Sequence, residues 1–328
     1  MPTYYEFINA RIKAREKSMP DTTDIERMID AATAQDTFRV LNDTDLADNL
    51  LDVDATSYYK AIKRDIVDLK IFLEKNLPDK NILMLLLSEE DANNMKVLFK
   101  ARLGGLELKD GDLSDAGLQS VDALKALILE DKKNITNSGF ENIVNMLKEQ
   151  LKGNTEPSEI DNVIDKQFYS YMLMLAKSIK NSFVLLYVKK LIDIANIKSF
   201  LRSKKLGRNK TFLVSRIIEG GSFDSNKLSD LFEKDVAAAS AYLSEIFDKS
   251  TRNDFIDIVK NNDLGRLSDL FLRHMQNFFT QIKYSSEGPG IVLQYYFNKM
   301  NAYRNIRLVM IGKLNDIEPA KIKEHIII

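Results

Sequence analysis

No glycine occurs before Gly104, and the 328-residue chain carries only 13 Gly and 6 Pro. Average usage would place about forty such helix breakers in a chain of this length. β-Sandwiches, dinucleotide-binding folds and disordered chains all need frequent turns, and turns need these residues. The scarcity therefore predicts long helices. Apolar spacing agrees: Val184, Val188, Leu191 and Ala195 recur at i, i+4, i+7 and i+11 as one stripe, with Lys189, Asp193 and Asn196 on the opposite face. Breaks fall at Leu103-Gly104-Gly105, Lys152-Gly153-Asn154, Glu219-Gly220-Gly221 and Gly288-Pro289-Gly290, each read as a helix–helix connection. In the glycine-free part, Met19-Pro20-Asp21 and Leu77-Pro78-Asp79 serve as turns. Helix starts are expected at Thr22-Thr23-Asp24 and at Ser88, which Glu89, Glu90 and Asp91 follow. Phe212–Ile218 is the best strand candidate, and it has no partner strand. The expected fold class is all-α.

Hydrophobic residues make up 45% and charged residues 29%, with a net charge of -1, which is ordinary for a soluble globular chain. The absence of cysteine removes disulfides, thiolate metal sites and a cysteine nucleophile, and agrees with a reducing compartment. The longest apolar runs, Ile82–Leu87 and Phe183–Val188, are far shorter than the roughly 18 residues of a spanning helix. The opening MPTYYEFINARIK has no signal-peptide core. The expectation is a soluble protein that stays where it is made.

Charge is balanced overall but not locally. Asp21 to Asp54 holds ten acids against Arg27 and Arg39, and Lys189 to Lys210 holds eight bases against Asp193. Two solvated helix faces of opposite sign would explain this, and so would two surfaces that steer different partners.

The triplet Asn, apolar, basic occurs four times in similar helices: Asn9-Ala10-Arg11, Asn94-Met95-Lys96, Asn196-Ile197-Lys198 and Asn305-Ile306-Arg307. The later three are followed at nearly constant distance by Leu103-Gly104, Leu206-Gly207 and Leu314-Asn315. Composition alone would give roughly two such triplets, so the weight rests on the shared helix, terminator and spacing. The reading is three helical units of about 100 residues, at 1–93, 94–195 and 196–304. A junction helix and tail follow at 305–328, and the first and last helices are free to pair. Asn9, Asn94, Asn196, Asn305 and Arg307 are junction residues. An Asn on a polar helix stripe most simply hydrogen-bonds a neighbouring helix end or water. Asn298, Asn301 and Asn305 share a face that lines a groove or meets solvent.

Motifs that carry chemistry are mostly absent. There is no P-loop, no H-E-x-x-H and no completed G-x-G-x-x-G. His274 reads as a helix residue and His325 as an exposed tail residue. Asp110-Gly111-Asp112 starts like a calcium loop but fails at the sixth position and at Val121, the twelfth. An all-helical terpene-cyclising enzyme would need D-D-x-x-D, which is missing. No catalytic, cofactor or metal residue is assigned. The basic run Lys198–Lys210 contains Phe200, a cation-plus-aromatic platform for nucleic acid, but the pI near 6.3 and the lack of a module signature argue against that. Anionic lipid is another reading of the run. A protein partner is the more economical one, with Lys198, Arg202, Lys204, Lys205 and Arg208 as interface candidates.

The block from Asn298 to Ile317, NKMNAYRNIRLVMIGKLNDI, resembles the closing signature of the C subunit of V/A-type rotary ATPases, the family related to the d subunit of the vacuolar enzyme. Asn9–Glu16 (NARIKARE) is similar to that family's opening helix, and Leu191–Lys198 (LIDIANIK) to its middle repeat. The resemblance spans the whole length. The family often has acids just before the Arg-Asn pair, where Met300 and Ala302 stand here, so no acid role carries over to those positions. The resemblance implies three helical units around a pseudo-threefold axis, shaped like a funnel. It implies a non-catalytic central-stalk subunit, a socket joining the central shaft of the soluble sector to the membrane rotor ring. Such a subunit is peripheral, on the cytoplasmic face of a membrane, and passes torque for proton or sodium transport. No cofactor and no nucleic acid are expected. The alternatives are a free helical scaffold for soluble partners and, third, an enzyme.

Overall fold

The computed structural model describes residues 5–109, 111–133, 138–153, 156–280 and 288–327. Residues 1–4, Asp110 of the calcium-like run and Asn154 of the second break lie outside the described residues. The described chain is all-α, with no strand. Its helices are α1 (Glu6–Arg15), α2 (Thr22–Asp30), α3 (Ala34–Arg39), α4 (Tyr59–Asn76), α5 (Lys80–Gly104), α6 (Val121–Ile128), α7 (Ser138–Gln150), α8 (Pro157–Ile179), α9 (Ser182–Lys205), α10 (Lys210–Val214), α11 (Ser225–Leu231), α12 (Val236–Leu243), α13 (Lys249–Lys260), α14 (Leu267–Thr280), α15 (Gly290–Leu314) and α16 (Pro319–Lys323).

Local chemistry sets many of the ends. Asp21 caps α2 and forms a reciprocal capping box with Asp24, next to the expected start. Pro157 opens α8, and Lys180, at φ +54°, ends it. The Asn181 side chain then accepts the N–H groups of Phe183 and Val184 at 3.0 and 3.1 Å to start α9.

Two local expectations are corrected. Ser88 does not start a helix. It lies inside α5, where its hydroxyl donates to Leu85 O at 3.1 Å. The buried apolar run before it carries the helix straight through. Phe212–Ile218 is not a strand. Lys210–Val214 forms α10, capped by Asn209, and the chain then turns. A lone strand would leave its backbone groups unpaired, whereas a helical turn pairs them internally.

Two compact units divide the chain. The first comprises Met1–Lys80 with Gly265–Ile328, and the second Asn81–Leu264. In the first, α1, α2 and α3 all pack on α15. The Asn9 amide donates to Gly288 O at 3.2 Å, tying α1 to the start of α15. A buried polar network lies beside it. Lys299, 1% exposed, pairs with Asp65 of α4 and with Asp45, each at 2.7 Å. The Tyr303 hydroxyl donates to Asp65 at 2.6 Å. The acid-rich stretch is therefore not one solvated face. Asp45 is drawn inward to Lys299, and Arg27 and Arg39 pair with Asp24, Asp43 and Asp36 inside the stretch itself.

In the second unit α8 packs on α9, and α12 on α13. Leu98 and Phe99 of α5, Leu124 of α6, Leu147 of α7 and Ile160 of α8 share one core. The polar face of α9 is also covered, because Asp193 and Asn196 are only 1% and 3% exposed.

The repeated asparagines explain that covering. Asn94, Asn196 and Asn305 each lie in the C-terminal half of a helix of 24 or 25 residues. Asn94 donates to Ser114 O and accepts its N–H, both at 2.8 Å. Asn196 does the same to Ile218, at 2.9 and 2.8 Å. Asn305 donates to Ile327 O at 2.7 Å, as Asn301 does at 2.8 Å. A side-chain amide has the donor and acceptor geometry of a peptide group, so it completes a backbone that no helix ladder serves.

Three residues before the first two of these asparagines stands an aspartate. Asp91 accepts the N–H groups of Leu118 and Gln119, both at 3.1 Å. Asp193 accepts that of Ser222 at 2.7 Å and also bonds Phe223. Burial pushes the Asp193 carboxyl above the usual carboxylate range, against the pull of the Ser222 hydrogen bonds. Gly117 and Gly221 hold the backbone close to these carboxylates, and a Cβ on either would overlap the aspartate oxygen. Gly117→Ala and Gly221→Ala are each expected to cost about 1–3 kcal/mol, because the oxygen is fixed by its N–H partners and cannot yield freely. Thermal unfolding checks this, and unchanged melting temperatures would show that the turns relax.

Candidate partner-binding surface

The second Asp-x-x-Asn clamp holds Ile218 and Ser222, beyond α10, against α9, while the basic stretch lies on α9 and the turn that follows it. After Gly207, at φ +60°, the chain folds back into α10. This builds a cleft of about 440 Å³ between α8 and α9. Lys198, Arg202, Arg208 and Arg216 line it together with Asp161, Asp165 and Tyr169.

The expected interface residues do not act alike. Lys198, Arg202 and Arg208 reach the cleft, and all three are exposed. Lys204 does not. Its ammonium donates to Lys234 O at 2.7 Å and sits 5.0 Å from the centre of the Phe232 ring. Lys205 is exposed outside the cleft. Phe200 provides no platform for a base, because it is 1% exposed and packs edge-on against Phe232. The phenylalanine in the cleft is Phe212, which has the Arg216 guanidinium at 3.6 Å and that of Arg208 at 5.0 Å. Arg307 is exposed on α15, two residues past the buried Asn305.

Electrostatics distinguish the two walls. On the α8 side Asp165 meets Lys96 at 2.5 Å and Asp161 meets Lys100 at 2.6 Å, so α5 supplies cations to both. Burial pushes the Asp165 carboxyl up, with Lys96 pulling the other way. Arg216 is paired with Glu159 at 3.0 Å. Among the described residues Arg202 and Arg208 have no ion-pair partner. Lys198 is pushed below the ordinary lysine range by its protein surroundings; Glu89 opposes that shift and Arg202 adds to it. The lysine is exposed at its surface yet crowded by walls, as a side chain in a crevice is.

Sequence reasoning missed Asp91, Asp193, Gly117, Gly221, Phe212 and Arg216. A signal was present for the clamps: Asp91-Ala92-Asn93-Asn94 and Asp193-Ile194-Ala195-Asn196 share D-x-x-N, with Gly117 and Gly221 at similar distances beyond. The third copy has Ala302 at the aspartate position. The asparagine series on α15 lines a groove of about 290 Å³ with Glu16, Asp21 and Gln276. His274 is buried in α14, and His325 is exposed, 3.4 Å from Asp269.

No described helix is long and apolar enough to cross a membrane. Among the described residues no group of three or more His, Cys, Asp or Glu side chains is arranged to hold a metal ion.

The chain is similar to known proteins along nearly its whole length. The family model for the ATP synthase (C/AC39) subunit matches residues 8–325. The C subunit of the V-type sodium ATPase of Enterococcus hirae is 22% identical, over 98% of this chain and 97% of the relative. The C subunit of the A-type ATP synthase of Pyrococcus horikoshii is 24% identical, over 98% and 90%. That of Thermococcus gammatolerans is 25% identical, over 98% and 89%. Both the match and the relatives run through all three long Asn-bearing helices, so the chain belongs to the ATP synthase (C/AC39) subunit family.

Proposed function

We propose that this protein is a non-catalytic central-stalk subunit of a V/A-type ATPase. It acts as a socket between the central shaft of the soluble sector and the membrane rotor ring, and passes torque between them. The observation that carries the reading is the family match from residue 8 to residue 325, which spans both compact units. The physics of the chain supports it. A torque-transmitting part must resist bending, and long helices packed along apolar faces resist it better than loops. Buried clamps such as Asn94 on Ser114 and Asn196 on Ile218 fix the connections as well. In this reading three similar units surround a pseudo-threefold axis as a funnel, and the protein sits peripherally on the cytoplasmic face of the membrane. Its role serves ATP-coupled transport of protons or sodium.

Reconstitution tests the reading. Membranes carrying the complex but depleted of this subunit are expected to lose ATP-driven ion transport, and addition of the full chain restores it. A depleted complex that still pumps at the full rate would overturn the coupling role. A chain that never rejoins such membranes would point instead to a free scaffold.

A further inference from the structure

We propose that the cleft between α8 and α9 receives an acidic helical segment of another subunit of the complex, with two carboxylates one turn apart on Lys198 and Arg202 and a third on Arg208. The proposal rests on the assembly reading above and adds the chemistry of the partner. Lys198 and Arg202 are four residues apart on α9, so their side chains leave the same face about 6 Å apart. Glu or Asp at i and i+4 on a second helix has the same spacing. Arg208 joins from the turn after α9.

The acids already in the cleft are engaged elsewhere. Asp161 and Asp165 are taken by Lys100 and Lys96, and Glu159 takes Arg216. Glu156 accepts from the Ser158 hydroxyl at 3.2 Å. Glu89 is the acid that acts on Lys198 within the chain. Positive charge thus remains in surplus at Arg202 and Arg208. The walls also carry apolar surface: Tyr169 and Phe212 stand beside Ile194, Ala195 and Ile218, which suits the stems of Glu side chains. Arg208 and Arg216 already lie against Phe212, so the ring is not free to stack on a nucleotide base. That favours carboxylate-bearing protein over nucleotide. Cations in a concave, partly desolvated site attract carboxylates more strongly than the same cations on a flat surface.

A zero-length cross-link tests the proposal without altering the protein. The full chain is rejoined to subunit-depleted complex and treated with a water-soluble carbodiimide. The reagent activates a carboxyl group, an adjacent amine displaces it as the urea, and an amide forms with net loss of water. Mass spectrometry is expected to find Lys198 joined to an Asp or Glu of another subunit. Arg202→Lys adds a second cross-link, three or four residues away in the same partner segment. The double reversal Lys198→Glu with Arg202→Glu weakens rejoining about tenfold or more and flattens its salt dependence. Lys260→Glu, on the exposed face of α13, leaves both unchanged. Circular dichroism confirms that the variants keep their helix content. If the assembled complex gives Lys198 cross-links only within this chain, such as to Glu89, and the double reversal rejoins like wild type, the proposal is overturned. If the wild-type chain fails to rejoin at all, the assembly reading itself fails and takes this proposal with it.

Discussion

Lys299→Met is expected to destabilise the protein by about 3–5 kcal/mol, the usual cost of stranding buried charge by removing one partner. Lys299 Nζ lies 2.7 Å from both Asp45 and Asp65, and is the cation that neutralises them. Burial by itself would push the ammonium pKa down, but Asp65 and Asp45 overcome that and hold it above the ordinary lysine value. Asp45 is shifted up by burial, with Lys299 pulling against the shift. Once Lys299 is gone, Asp45 rises further. A carboxyl whose folded pKa exceeds its unfolded value contributes stability below the unfolded value and loses it as pH rises through the folded one. The deficit of the variant is therefore largest near neutral pH and shrinks as pH falls through the raised Asp45 value. Urea unfolding of wild type and variant between pH 4 and pH 8 measures it. Adding Asp45→Asn and Asp65→Asn to Lys299→Met should recover part of the loss, since neutral amides are cheaper to bury. A loss under about 1 kcal/mol at neutral pH would mean that water reaches the carboxylates, well below the range for breaking a buried pair.

Asn196→Ala is expected to cost about 2–4 kcal/mol and to loosen the segment after α10 whose Ile218 lines the cleft. Both the donor and the acceptor of Ile218 are satisfied by this one side chain, and the site is buried. Removing the amide leaves two backbone groups unpaired, at roughly 1–3 kcal/mol each when no water replaces them. Asn196→Asp is expected to be at least as harmful, because it loses the donor and sets a carboxylate against the Ile218 carbonyl. Hydrogen exchange gives the local readout: the Ile218 amide should exchange much faster in both variants, while amides of α15, in the other unit, stay protected. Unchanged exchange at Ile218 would show that the clamp is dispensable. Because Ile218 lines the same cleft as Arg208, the variant should also weaken rejoining of the complex.

The asparagine positions are legible in the sequence, but their task is not. The triplet spacing picks out Asn9, Asn94, Asn196 and Asn305, and each is buried, at 2–4% exposure. Their hydrogen-bond partners lie 20 or 22 residues downstream for Asn94, Asn196 and Asn305, and 279 residues away for Asn9. Nothing in a helical stripe states which distant backbone will arrive opposite it. The same limit explains Asp193. Periodicity places it opposite the apolar stripe of α9 and so suggests solvent, yet it is 1% exposed. A hydrophobic pattern reports which face of a helix is apolar, not whether the polar face is covered.

Charge obeys the same limit. Counting marks Lys198, Arg202, Lys204, Lys205 and Arg208 as one run. The fold separates them, sending three into a cleft and leaving Lys204 on a carbonyl and an aromatic ring. Arg216 and Phe212 join the site from beyond the run, in a segment whose apolar residues suggest a strand.

Breaker content, periodicity and motif are local properties written along the chain. They suffice to establish that it is helical, where its repeated asparagines stand, and which family it resembles. Which backbone each asparagine completes, which acids are paired inside the protein, and which cations are left facing outward are settled only on folding. Hydrogen bonds and ion pairs form between groups a few ångströms apart in space, and the folded chain sets those distances.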